Sequence, residues 1–101
     1  MEVDMKLLSG KISDIADEMQ PKLLNFLERA VNQDSGSYDT DDVNAFGNFL
    51  ADTCRKMGGD VFVQHSNVHG DPIACTFNCK VDDDVRRVLM VCHRDTVFPH
   101  G

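Results

Sequence analysis

The run Val88-Leu-Met-Val-Cys92 constrains the fold more than any other feature, because it is apolar at every position. Neighbouring side chains of a strand point to opposite faces, so this run has two apolar faces and belongs in the centre of a sheet covered by helices on both sides. The expected class is therefore α/β. The run passes directly into a polar tail, His93-Arg-Asp-Thr-Val-Phe-Pro-His-Gly101. Ligands of open α/β sheets gather at the carboxyl ends of strands, which makes this tail the first place to look for chemistry. On an extended backbone His93 and Asp95 share a face, close enough for the carboxylate to accept a hydrogen bond from one ring nitrogen. A carboxylate in that position fixes the tautomer of a metal-binding histidine and raises its basicity.

The segments before this strand carry helix signals. Between residues 11 and 32, Ile12, Ile15, Met19, Leu23, Phe26, Leu27, Ala30 and Val31 recur at steps of three and four, the pattern of an amphipathic helix. Pro21 interrupts it, so the helix either restarts there or kinks. Asn32-Gln-Asp-Ser-Gly-Ser-Tyr-Asp39 reads as a loop with Gly36 as its pivot. A second helix is expected from Asp41 to Met57 with an apolar stripe of Val43, Phe46, Leu50, Cys54 and Met57. Asp39 or Thr40 caps its start, Asp41 and Asp42 suit the positive end of its dipole, and Gly58-Gly59 ends it.

Three strands should follow, over residues 61–64, 73–80 and 85–92, with turns at 66–72 and 82–84. In the middle one Ile73, Cys75, Phe77 and Cys79 share a face, and Ala74, Thr76 and Asn78 the other.

The 101 residues have the length of one small domain, and 42% of them are hydrophobic. A net charge of −7 argues against a nucleic-acid partner, which needs a clustered basic surface, and Arg86-Arg87 is the sole basic cluster. No apolar run approaches the roughly 18 to 20 residues that cross a bilayer. Leu7-Leu8 is too short for the core of a signal peptide, so a cytoplasmic protein is expected.

The four cysteines, Cys54, Cys75, Cys79 and Cys92, are expected to be reduced thiols. Within one strand Cys75 and Cys79 would stand roughly 13 Å apart, whereas a disulfide needs under about 7 Å. A zinc ribbon needs two close cysteine pairs on turns, and one spacing of that kind exists here.

Other constellations carry less. His65 and His69 have helical ligand spacing but lie in a turn, without the glutamate of His-Glu-x-x-His. His93-Arg94-Asp95 opens like a protein-kinase catalytic loop, but His100 stands where its metal-binding Asn belongs, and neither the glycine-rich loop nor the Val-Ala-Ile-Lys strand precedes it. Asp82-Asp83-Asp84 lacks the spaced ligands of a calcium loop and reads as a solvated hairpin turn. Ser35 and Ser37 do not form a nucleophile elbow, since no strand leads into them; they serve turn geometry.

Taken together, a helix, the Asp34-Ser-Gly-Ser37 loop, a helix closed by glycine, two strands and Arg87-Val-Leu-Met-Val-Cys-His-Arg-Asp-Thr-Val-Phe-Pro99 resemble the N-terminal segment of the glutamate carboxypeptidase-like zinc peptidases. The wider family includes aminoacylase and acetylornithine deacetylase. The resemblance runs from about residue 20 to the end of the chain.

It implies that residues 1–101 are the N-terminal portion of a catalytic domain: two helices, then three strands of an incomplete three-layer α/β/α architecture. The implied activity is hydrolysis of amide bonds in small peptides or N-acyl amino acids by a metallopeptidase, a carboxypeptidase or deacylase with two zinc ions. His93 would match a zinc ligand, and Asp95 the catalytic-site carboxylate that orients it. The family's other ligands and its general base come later in a longer chain, so at most one weak zinc site and no activity are expected of these residues alone. The alternative expectation is a non-enzymatic module that pairs through an exposed sheet with the rest of such an enzyme or with itself.

Overall fold

The computed structural model describes residues 4–77 and 87–101. They form two compact units, Met1–Asn32 and Gln33–Gly101.

The first unit is one helix, α1 (Met5–Val31). It begins six residues before the expected position because Asp4 caps it, its side chain accepting from the Leu7 amide at 3.0 Å. Pro21 neither restarts nor ends it, and the helix runs through. Proline removes one backbone donor, so the single bond to the carbonyl one turn earlier is lost while the others continue. No residue of α1 is buried, and its stripe of Ile12, Ile15, Met19, Leu23 and Leu27 lies on the surface.

The second unit is built around α2 (Thr40–Lys56), whose ends are set by local chemistry. Asp39 accepts from the Asp42 amide at 3.0 Å, Asp41 and Asp42 occupy the first turn, and Arg55 and Lys56 the last. At the far end the Gly59 amide bonds the Cys54 carbonyl at 2.9 Å and the Gly58 amide bonds the Arg55 carbonyl at 3.0 Å. This pair of bonds is a Schellman closure, and it needs the left-handed φ of +88° that Gly58 adopts.

The chain then forms an antiparallel hairpin of β1 (Asp60–Val63) and β2 (Ile73–Thr76), with Val61 opposite Cys75 and Phe62 opposite Ala74. Val61, Ile73 and Cys75 are half-buried on one face, while Phe62 and Ala74 are exposed on the other, and α2 packs on both strands. The middle-strand alternation is as expected over residues 73–76, but the strand stops at Thr76, and Phe77, expected on its apolar face, lies outside it and is exposed. Its residues 78–80, with Cys79, lie outside the described residues, as does the 82–84 turn. Cys54, Cys75 and Cys92 are free thiols.

Among the described residues the core is small: Val43 and Ala51 are its buried apolar residues, beside Gly47 of α2. The turn between the strands closes on α2. Asp71 accepts from the Ser66 amide at 2.8 Å, and its own amide donates to Asn44 Oδ1 at 2.7 Å. Gly70 lies against Val43, where an added Cβ would come within 2.3 Å of its methyl carbon.

The third expected strand requires correction. Residues 85 and 86 lie outside the described residues, and 87–92 pair with no strand among them. Val88, Leu89, Met90 and Val91 are 84 to 88% exposed. A strand apolar on both faces needs a strand at its edge and a layer on each side, and among the described residues the sheet has two strands, covered by α2. The α/β class holds, as two helices and a two-stranded antiparallel sheet.

Because Asp39 supplies the start of the helix that organises this unit, Asp39→Ala should cost about 1 kcal/mol, the usual loss for an N-cap. A urea titration followed by circular dichroism should show a lower midpoint at unchanged slope, and an unmoved midpoint would contradict the assignment.

Candidate functional site

The tail at 93–101 is held by the loop that precedes α2. Thr96 and Gly36 form a parallel bridge, in which the Thr96 amide donates to the Ser35 carbonyl at 2.8 Å and the Ser37 amide donates to the Thr96 carbonyl at 2.9 Å. Ser35 is buried at this junction. The approach requires glycine, since a Cβ on Gly36 would stand 2.8 Å from the Phe98 carbonyl oxygen. The turn role expected of Ser35 and Ser37 is thereby made specific.

His93 and Asp95 lie against one another, with the main-chain oxygen of Asp95 in the place expected of its carboxylate. His93 Nδ1 lies 3.0 Å from the Asp95 main-chain oxygen and 3.5 Å from its Oδ1. Both oxygens are acceptors, so Nδ1 carries the hydrogen and the neutral ring keeps its lone pair on Nε2. The His93 side chain is 86% exposed, which leaves that lone pair accessible. The backbone carbonyl is the nearer partner, so the orienting role expected of the carboxylate is shared with the main chain of the same residue. Ser37 Oγ donates toward Asp95 Oδ2 at 2.7 Å and toward the Thr96 carbonyl at 2.9 Å. The serine bond chiefly holds the Asp95 carboxyl below its ordinary value; slight desolvation opposes it, while the backbone and His93 add to it.

Arg94 is turned to other work. Its Nε donates to the Val43 carbonyl at 3.1 Å and its Nη2 to the Asp71 carbonyl at 2.6 Å, alongside the bare Cα of Gly47. The guanidinium ties the tail to α2 and to the hairpin turn. His93 and Asp95 share a cleft with Val43, Phe46 and Leu50 of α2 and Ile73 of β2. His65 and His69 stay in their turn, where His65 Nδ1 is 3.5 Å from Asp71 Oδ1 and the His69 amide donates to Ser66 Oγ at 3.1 Å.

One constellation has no local signal in the sequence. His100 Nδ1 lies 2.6 Å from Asp42 Oδ2 and 3.3 Å from Asp34 Oδ2, and the Gly101 amide donates to Asp34 at 3.2 Å. These are ligand types that hold divalent cations, and among the described residues they are the one such group of three. The short imidazole–carboxylate bond accounts for the cluster as an ion pair that fastens the tail to the start of α2.

No protein-family model matches the chain, no curated protein is similar to it, and no solved structure matches it. No helix of the described residues is long and apolar enough to cross a membrane.

The hydrogen bond with Asp42, then the charges of Asp42 and Asp34, raise the His100 pKa above its ordinary 6.5, against a small opposing desolvation. A raised folded pKa gives stability that is fully present below pH 6.5 and is lost as pH rises through the raised value. Denaturation midpoints measured across that window should fall with rising pH, and His100→Gln should remove that part of the slope. An identical slope in the variant would show that the pair contributes nothing.

Proposed function

We propose that this chain is the N-terminal portion of the catalytic domain of a dinuclear zinc amide hydrolase, a carboxypeptidase or deacylase of small peptides or N-acyl amino acids, and that it is inactive alone. The observation that carries the reading is the setting of His93: Nδ1 is engaged by Asp95, and the side chain is otherwise exposed. Zinc bound there would polarise a carbonyl and make hydroxide available near neutral pH. The described residues fit the metal as one imidazole ligand, short of the three protein ligands usual for a catalytic zinc. Their own work is to present Nε2, hold its tautomer through Asp95, and keep the Arg94 cation engaged with two carbonyls.

Two measurements test this. In an NMR titration with zinc, the His93 ring should shift more than those of His65, His69 and His100, and the effect should vanish in His93→Ala; an unmoved His93 ring in excess zinc sinks the reading. Assays with N-acyl amino acids and γ-glutamyl peptides should show no turnover above buffer. Zinc-dependent turnover that survives purification and is abolished by His93→Ala would refute inactivity of the chain alone.

The exposure of Val88 to Val91 favours a second reading, a module that pairs through this apolar segment with another chain or a second copy. Light scattering after size exclusion should then report association that grows with concentration and is reduced by Leu89→Lys. A monomer at high concentration would remove the support.

A further inference from the structure

We infer that Ser37 is a positioning residue for His93: its hydroxyl, delivered by the loop before α2, holds Asp95 so that the imidazole is locked with Nδ1 as donor and Nε2 open. The inference rests on reading His93 as a metal ligand, but the state it describes exists without metal.

The serine backbone is fixed before its side chain acts. Its amide bonds the Thr96 carbonyl at 2.9 Å, the preceding Ser35 carbonyl accepts from Thr96 at 2.8 Å, and Gly36 lets the two segments approach to a distance that a Cβ would forbid. From that fixed point the hydroxyl lies 2.7 Å from Asp95 Oδ2 and 2.9 Å from the Thr96 carbonyl. One proton is shared between two acceptors, and both belong to the segment that follows His93.

The consequence passes along the chain of contacts. With Oδ2 held by Ser37, Oδ1 remains on the His93 side as a second, longer contact 3.5 Å from Nδ1, beside the hydrogen bond to the main-chain oxygen of the same residue at 3.0 Å. The Asp95 side chain is 46% exposed, so without the hydroxyl its carboxylate turns to water. The ring is then left with the main-chain oxygen of Asp95 alone, 3.0 Å from Nδ1, and its Nδ1–H population falls. Partners of this kind, one step removed from a ligand, set ring orientation and basicity at metal sites.

Long-range ¹H–¹⁵N NMR of the imidazoles in the metal-free chain, at a pH where His93 is neutral, reads the tautomer directly. Wild type should give the Nδ1–H pattern for His93, Ser37→Ala a mixture of both tautomers, and Ser37→Thr, which restores a hydroxyl on the same carbon, the wild-type pattern. A Ser37→Ala chain that keeps the Nδ1–H pattern overturns the inference. So does a Ser37→Ala chain whose helical circular-dichroism signal collapses, because the hydroxyl then serves folding, and so does a threonine that fails to rescue. A zinc titration that leaves His93 unmoved counts against the metal reading and leaves this tautomer test intact.

Discussion

The pairing of the 35–37 loop with Thr96 is the contact on which the site depends. It joins segments 59 residues apart, and closing a loop of that length costs roughly 3 to 4 kcal/mol in chain entropy. One hydrogen bond, worth about 1 kcal/mol net, does not offset that. The tail is accordingly held at several points: two backbone bonds to the loop, the shared Ser37 hydroxyl, two bonds from Arg94 and the His100 pair with Asp42. Their number matters more than the strength of any one. A glycine at position 36 is what allows the first two to form.

Division of labour within three consecutive residues follows from this anchoring. His93 and Asp95 engage one another, while Arg94 between them reaches back to carbonyls of α2 and the hairpin turn. A cation beside a metal ligand would ordinarily oppose metal binding. Here the guanidinium donates to two backbone carbonyls and fastens the tail that carries His93, the residue proposed as a ligand.

What could be read in the sequence was what neighbours in the chain decide. Asp39 and Gly58 start and stop α2, the alternation Ile73, Ala74, Cys75, Thr76 sorts the faces of β2, and His93 and Asp95 are two residues apart. The early start of α1 is also local, set by the Asp4 cap. The rest depends on long-range closure. Ser37 meets Asp95 across 58 residues, Arg94 meets Val43 across 51, and Asp34 bonds Gly101 across 67, and no periodicity in the chain announces any of them. Residues 88–91 failed as a strand for a related reason: their apolar pattern specifies neighbours that the described residues do not provide.

The two functional readings share one physical root. The unpaired apolar segment 88–91 leads directly into His93, so any strand that paired with it would extend its order to the backbone that carries the ligand. Covering that segment removes a large apolar surface from water, which favours assembly without help from metal. A metal bound by a single imidazole gains little, whereas the same imidazole facing ligands carried by the newly paired chain becomes one of several. If His93 binds zinc as proposed, zinc affinity and pairing of the segment would be coupled, each strengthening the other by the same factor.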